Sequence, residues 1–235
     1  MIRVSIVARS LLKCYNMSAV RIGGSEISAG EGQIREYRRG KGMEALRKAI
    51  LEQGRGIGDN IVKVDMFLNH RLDTRLMFDV GRALADYFRK DTPDLVLTVE
   101  ASGIAIALTA AHYLGDIPVV FAKKASSSNQ SENLLTAKAH SFTHGNDNIL
   151  RVDPRYLPAG SRVLIVDDFL ADGQASHALI SIVEQAGCKL VGVGIAIEKG
   201  FQPGGKSLRE AGVNLKSLAI VQGIENGEIV LAPED

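Results

Sequence analysis

Residues Val163–Ala175 read V-L-I-V-D-D-F-L-A-D-G-Q-A and constrain the fold more than any other stretch of the 235-residue chain. Val163 to Val166 form a short, β-branched apolar run, the pattern of a buried strand. Asp167 and Asp168 follow at once, and then a turn of small residues, Ala171-Asp172-Gly173-Gln174-Ala175. Ala178, Leu179, Ile182, Val183 and Ala186 recur at helical spacing as far as Gly187, a C-terminal stop. The order is strand, acid pair, small turn, helix. That is half of a βαβ unit and requires a sheet for the strand to join.

Each part predicts a chemical job. A turn of Ala and Gly lets a ligand approach bare backbone. Its N–H groups and the first helical turn converge on one spot, and the helix end adds about half a positive charge. The result is a phosphate cradle that needs no lysine. Two carboxylates at the carboxyl edge of a strand accept hydrogen bonds from vicinal hydroxyls or hold Mg²⁺ through water. A phosphate cradle beside a diol acceptor suits a ribose 5-phosphate. An ordinary βα turn with solvent-facing acids is the plain alternative, and the A-x-G-x-A spacing weighs against it.

The pattern from Asp94 onward is β-α-β-α. Strands are expected at Leu95–Val99, Val119–Ala122, Val163–Val166 and Val191–Ile197, with a fifth at Lys216–Val221 on the edge. Helices are expected at Ile104–Leu114 and after the small turn. This predicts an α/β fold with a central, mostly parallel sheet flanked by helices. Ahead of it, Met43 opens an amphipathic helix with Leu46, Ala49 and Ile50 on one face. Val62, Val64 and Met66 alternate as a strand does. A second helix near Asp73–Phe88 carries Leu76, Val80, Leu84 and Tyr87.

Three other strand ends share the edge that carries the acid pair. Glu100-Ala101-Ser102-Gly103 is a small turn whose amides suit a diphosphate. Lys123-Lys124 and Lys199 bring cations, which stabilise a leaving pyrophosphate; solvated strand ends are the alternative for Lys123 and Lys124. The connection Lys123–Gly160 is too long for a routine loop. Its polar stretch Ala125–Ser131, A-S-S-S-N-Q-S, reads as a flexible lid over a reacting ligand or as a surface excursion with a hairpin.

Residues 1–42 differ from the rest. They hold eight basic and three acidic residues, against twenty and twenty-four beyond, so +5 faces −4. Gly23-Gly24, Gly30, Gly32, Gly40 and Gly42 are expected to break any long element there. A disordered arm, a basic nucleic-acid-binding tail and sequence upstream of a true start at Met43 compete, the first and last being favoured over the tail. The near balance of charge overall gives no pull toward nucleic acid. No apolar run reaches the ~18 residues of a membrane span, and Met1–Leu12 is broken by Arg3 and Arg9, a poor secretory signal. Cys14 and Cys188 form no C-x-x-C pair, which fits a reducing cytoplasm with Cys188 as a small buried residue. The five histidines lack zinc-ligand spacing, so no resident metal is expected. Gly192 and Gly194 lack the third glycine of a dinucleotide fingerprint, and Ser102 lacks a nucleophile-elbow context.

The stretch at Val163–Ala175 resembles the phosphoribosyl-diphosphate (PRPP) signature of the type I phosphoribosyltransferases. The likeness extends from Met43 to about Val221 and is to xanthine phosphoribosyltransferases of the bacterial type. It is carried by M-E-A-L at Met43, V-K-V-D-M-F-L-N-H at Val62, E-A-S-G-I-A at Glu100, P-V-V-F-A-K-K at Pro118, N-L-L-T-A at Asn133, and I-E-K-G-F-Q-P-G at Ile197. The resemblance implies the type I phosphoribosyltransferase fold with a small N-terminal hood that binds the base, and a domain spanning 43–235. It implies transfer of phosphoribose from PRPP to N9 of xanthine, with Mg²⁺ on PRPP, in a cytoplasmic homodimer of purine salvage. Its PRPP loop falls on Ala171, Asp172, Gly173, Gln174 and Ala175, and its xanthine contacts fall on Val62, Asn69 and Lys199.

Two departures stand out. Val62 replaces a common Leu, and Asp172 stands where such enzymes carry Thr or Asn. A carboxylate there weakens phosphate binding unless it turns outward. Lys199 as a cationic donor favours an oxo-purine, Asn69 donates and accepts, and Phe201 either packs on the base or serves the core. Asp167 and Asp168 are expected to fix the ribose hydroxyls, with Glu100–Gly103, Lys123 and Lys124 on the diphosphate. The rival readings are the same chemistry on guanine, hypoxanthine or adenine, and a PRPP-sensing transcriptional regulator on the same fold.

Overall fold

The structure, a computed structural model, describes residues 19–22, 25–28, 31–124, 133–140 and 147–233. Ala125–Ser131, the expected lid stretch, lies outside these residues, as do Met1–Leu12, Gly23-Gly24, Gly30 and Ser141-Phe142-Thr143.

β1 (Ala19–Ile22) and β2 (Ser25–Ser28) pair antiparallel, and α1 (Glu31–Gln53) follows. The helix expected to open at Met43 therefore opens at Glu31 and crosses Gly40 and Gly42, which do not break it. A tertiary contact explains Gly42. A Cβ there would overlap the Asp79 carbonyl oxygen of α2 (Thr74–Phe88), so glycine lets the two helices close on each other. Asp73 caps α2, its side chain accepting from Leu76 N–H at 3.0 Å.

The segment between these helices is not the strand that Val62, Val64 and Met66 foretell. β3 (Arg55–Ile57) and β4 (Ile61–Lys63) make a short hairpin, and a π-helical turn runs over Asp65–Asn69. Val62 and Val64 are buried but Met66 is 52% exposed, because the turn swings it out.

The main sheet holds β5 (Leu95–Val99), β6 (Val119–Ala122), β9 (Arg162–Leu170), β10 (Lys189–Lys199), β11 (Leu215–Glu225) and β12 (Glu228–Leu231), in the order β12-β11-β10-β9-β5-β6. Five strands are parallel; β12 alone is antiparallel and pairs with Val221–Glu225, the far end of β11, leaving Lys216–Ala219 at the edge expected for it. Strand alternation splits the core into two layers. Val96, Leu164 and Val166 face α1, α2 and α3 (Gly103–Tyr113). Leu95, Leu97, Val163 and Ile165 face α4 (Gln174–Gln185), α5 (Gly204–Glu210) and the hairpin of β7 (Leu135–His140) and β8 (Asp147–Val152). That hairpin occupies the long connection after β6. Gly192 and Gly194 make room for Phe88 and Leu84 of α2, a packing role.

Cys188 is half-buried, less covered than expected. Its thiol lies 3.2 Å from the Pro158 carbonyl oxygen, and burial pushes its pKa up. Among the described residues no helix is long and apolar enough to cross a membrane.

Candidate active site

The chain leaves β5 toward β6 on one side of the sheet and leaves β9 toward β10 and β11 on the other. The strand order thus reverses between β5 and β9, and α3 and α4 depart to opposite faces. A crevice opens at such a reversal, beyond the carboxyl ends of the two strands. Glu100–Gly103 and Asp167–Ala175 flank it.

β9 runs through the acid pair to Leu170, past the end expected at Val166. The reason is its neighbour. β10 keeps pairing with it at Ile195↔Asp167, Ile197↔Phe169 and Glu198↔Leu170, whereas β5 stops at Leu97↔Ile165. The strand is held by β10 on one side and has left β5 on the other, at the carboxyl edge of the sheet. Both acids are buried, at 4% and 7% exposure. Asp167 accepts the Asp168 N–H at 2.9 Å. It lies against the start of α3, where a Cβ on Gly103 would come within 2.6 Å of its Oδ1. Thr98 Oγ1 flanks the same point, buried and without a hydrogen-bond partner. Burial and the neighbouring Asp168 charge push Asp167 well above the carboxylate range, with Lys124 opposing them.

The small turn closes as a loop. Gly173 has φ +88°, open to glycine and strained for other residues, and precedes the first residue of α4. Its carbonyl accepts the His177 N–H at 2.9 Å. Asp172 is half-buried, and its Oδ1 accepts the Gln174 N–H at 3.1 Å. The loop rests on α5. Gly204 N–H donates to the Ala171 carbonyl at 3.0 Å, and a Cβ on Gly204 would lie 2.5 Å from that oxygen and 2.6 Å from Gly173 N.

Across the crevice, Glu100 Oε1 accepts the Lys124 N–H at 2.6 Å and ties the first turn to the end of β6. Lys123 bridges Arg151 by two main-chain hydrogen bonds, at 3.0 and 2.9 Å, and both lysine side chains are exposed. Arg151 Nη1 donates to the Lys124 and Ile149 carbonyls, both at 2.9 Å. Ala101 is exposed and Ser102 half-exposed at the mouth of α3.

Lys199, at the end of β10, donates to the Asn60 carbonyl at 3.0 Å, so the β3–β4 hairpin reaches over the carboxyl edge of the sheet. Its Nζ lies 5.9 Å from the Phe169 ring centre. Burial lowers its pKa, and the Asp172 charge works against that. Val62 is buried in the same hairpin and Asn69 is exposed at the end of the turn that follows. Phe201 is half-buried against the helical core, and Phe169 is an aromatic beside Lys199.

Sequence reasoning missed the support behind these groups. Glu198, 3% exposed, receives Arg209 through two hydrogen bonds of 2.7 Å and Ser217 through one of 2.5 Å. A Cβ on Gly205 would overlap its Oε1, so the start of α5 is seated directly on this carboxylate. A lone Glu in an apolar strand, ahead of a Gly-Gly pair, was the available signal, since a buried charge requires a partner.

Residues 70–212 match the model of the phosphoribosyl transferase domain family. The chain is 47% identical over 187 residues to a xanthine phosphoribosyltransferase of Laribacter hongkongensis, and 48% identical over 187 residues to xanthine phosphoribosyltransferase 1 of Clostridium perfringens. Each alignment covers 80% of this chain and 98% of the relative. A xanthine phosphoribosyltransferase of Bacillus licheniformis is 45% identical over 192 residues, covering 82% and 98%. Among solved structures, an adenine phosphoribosyltransferase from Rhodothermus marinus superposes with a TM-score of 0.61 at 26% identity, covering 77% of this chain and 99% of its own.

Proposed function

The chain belongs to the xanthine phosphoribosyltransferase family, and from that premise we infer that it transfers the 5-phosphoribosyl group of PRPP to N9 of xanthine, giving XMP and pyrophosphate. The observation that carries the reading is the strand reversal between β5 and β9, which sets the small-residue loop and the buried acids together at the carboxyl edge of the sheet. The amides of Ala171–Ala175 and the positive end of α4 hold the 5-phosphate. Asp168 clasps the ribose hydroxyls and faces the oxocarbenium-like centre that forms as the C1′–O bond loosens. Asp167 anchors the Asp168 amide and so fixes its place. Binding the remote phosphate aligns the reacting carbon, and no covalent intermediate is needed.

Glu100–Gly103 and the amino end of α3 receive the diphosphate, with Lys123, Lys124 and Arg151 as nearby cations. The donors at the strand ends are hard oxygens, from Asp167, Asp168 and Glu100, and these suit Mg²⁺ brought in on PRPP, which keeps most of its water and phosphate ligands. Mg²⁺ on the diphosphate neutralises the charge of the leaving group. Lys199 donates to an oxo group of the base, Asn69 supplies a second polar contact, and Val62 and Phe169 supply the apolar walls.

Pyrophosphate release with each candidate purine tests the assignment. Xanthine should be the preferred base. Asp168→Asn should slow the reaction about 100-fold or more, the scale of an electrostatic group at the reacting centre. Lys199→Ala should raise the KM for xanthine about tenfold while adenine gains nothing, the scale of one charged hydrogen bond. Xanthine turnover that survives Lys199→Ala would remove that residue from the base site.

The catalytic unit takes in residues 43–235; 187-residue alignments span 98% of the relatives, a length that this unit accommodates. The enzyme works in the cytoplasm as a homodimer. An apolar groove of about 380 Å³ between α2 and α3 supports self-association, since Phe78 and Leu108 there are 45% and 61% exposed. Sedimentation should give twice the monomer mass, and Leu108→Glu should shift it to the monomer.

A further inference from the structure

The phosphate loop already holds an anion of its own. Asp172 lies within the five residues that form the cradle, half-buried, and its Oδ1 accepts the N–H of Gln174, the first residue of α4. That amide is one of the orphan donors at the amino end of a helix, which favour negative charge. A sugar phosphate entering the loop needs the same donor and the same positive helix end. It also meets a like charge at close range.

We propose that Asp172 is an affinity-setting residue of the phosphate loop, an internal anion that competes with the 5-phosphate for the Gln174 amide and must give it up before the phosphate seats. This rests on the reading of Ala171–Ala175 as the phosphate site. It reassigns Asp172 from a binding group to a competitor.

The loop's fit to α5 sharpens the competition. Gly204 is packed against the main chain at Ala171, Asp172 and Gly173, so widening the loop for both anions would displace α5 as well. The carboxylate has to move instead.

Asp172→Asn tests this, because Asn keeps the acceptor for Gln174 and removes the charge. Calorimetric titration of the full chain with ribose 5-phosphate should show binding about tenfold tighter in the variant, the scale of one relieved like-charge contact at a partly exposed site. Steady-state kinetics should show the KM for PRPP falling with the KM for xanthine unchanged. A merely structural disturbance raises both. Ribose 5-phosphate binding that is unchanged or weaker in the variant overturns the proposal, and so does a joint rise of both KM values. The underlying reading is tested separately on the wild type. PRPP should displace ribose 5-phosphate competitively; if it does not, the loop is not the phosphate site, whatever Asp172→Asn does.

Discussion

Gly204→Ala is expected to lower turnover of PRPP and xanthine about 100-fold, the usual consequence of a displacement near 1 Å in a positioned substrate. The added methyl would sit 2.5 Å from the Ala171 carbonyl oxygen, 2.6 Å from Gly173 N and 2.9 Å from the Asp172 carbonyl carbon. All three are main-chain atoms, so no rotamer change relieves the clash. Either the phosphate loop or α5 must shift, and the Gly204 N–H bond to Ala171, now 3.0 Å, lengthens with it. The KM for PRPP should rise and kcat should fall, because binding of the phosphate aligns the reacting carbon. Turnover equal to wild type in a correctly folded Gly204→Ala protein would show that this loop does not hold the sugar phosphate.

Glu198→Ala is the corresponding stability experiment. The carboxylate is buried and satisfied by Arg209 and Ser217. Removing it takes the acceptor from the buried Ser217 hydroxyl and opens a space under Gly205, while the half-exposed Arg209 turns to water. Loss of hydrogen bonds to a charged group of this kind costs about 2 kcal/mol. For a chain of this size that lowers Tm by roughly 4–8 °C. The pH dependence has a definite sign. Burial raises the Glu198 pKa, but the hydrogen bonds from Arg209 and Ser217 and the Arg209 charge outweigh it, leaving the group below its ordinary 4.5. A carboxylate depressed by folding stabilises the fold above its unfolded pKa. That contribution is lost as the pH falls from about 4.5 through the folded value. Glu198→Gln, which cannot titrate, should therefore lose less stability than wild type between pH 5 and the acid limit, as read by thermal melts across that range. Equal acid slopes would remove Glu198 from the acid transition.

Much of the sheet is legible because its signals are local. Leu95–Val99 and Val119–Ala122 have the bounds that their β-branched runs foretell. α4 buries the expected Ala178, Leu179, Ile182 and Val183, and Gly187 with φ +66° stops it through the Cys188 N–H bond to the Val183 carbonyl at 3.0 Å. Other bounds depend on partners remote in the chain. Asp167 and Asp168 read as residues past a strand end, yet β10 carries the strand through them. Gly42 reads as a breaker, yet α2 lies against it and α1 runs through. In each case a neighbour supplied pairing or packing that outweighs the residue's own preference.

The order of side chains along Val163–Ala175 determined, without help, that a strand would deliver paired acids and a glycine turn to the start of a helix. Periodicity and φ freedom act between neighbours in the chain, so they are written there. Only the tertiary structure decided that β5 lies beside β9, that α5 braces the loop from behind, and that the β3–β4 hairpin meets Lys199. These are set by which surfaces bury one another and which donors remain unmatched once they have, and such terms exist only after distant segments have met.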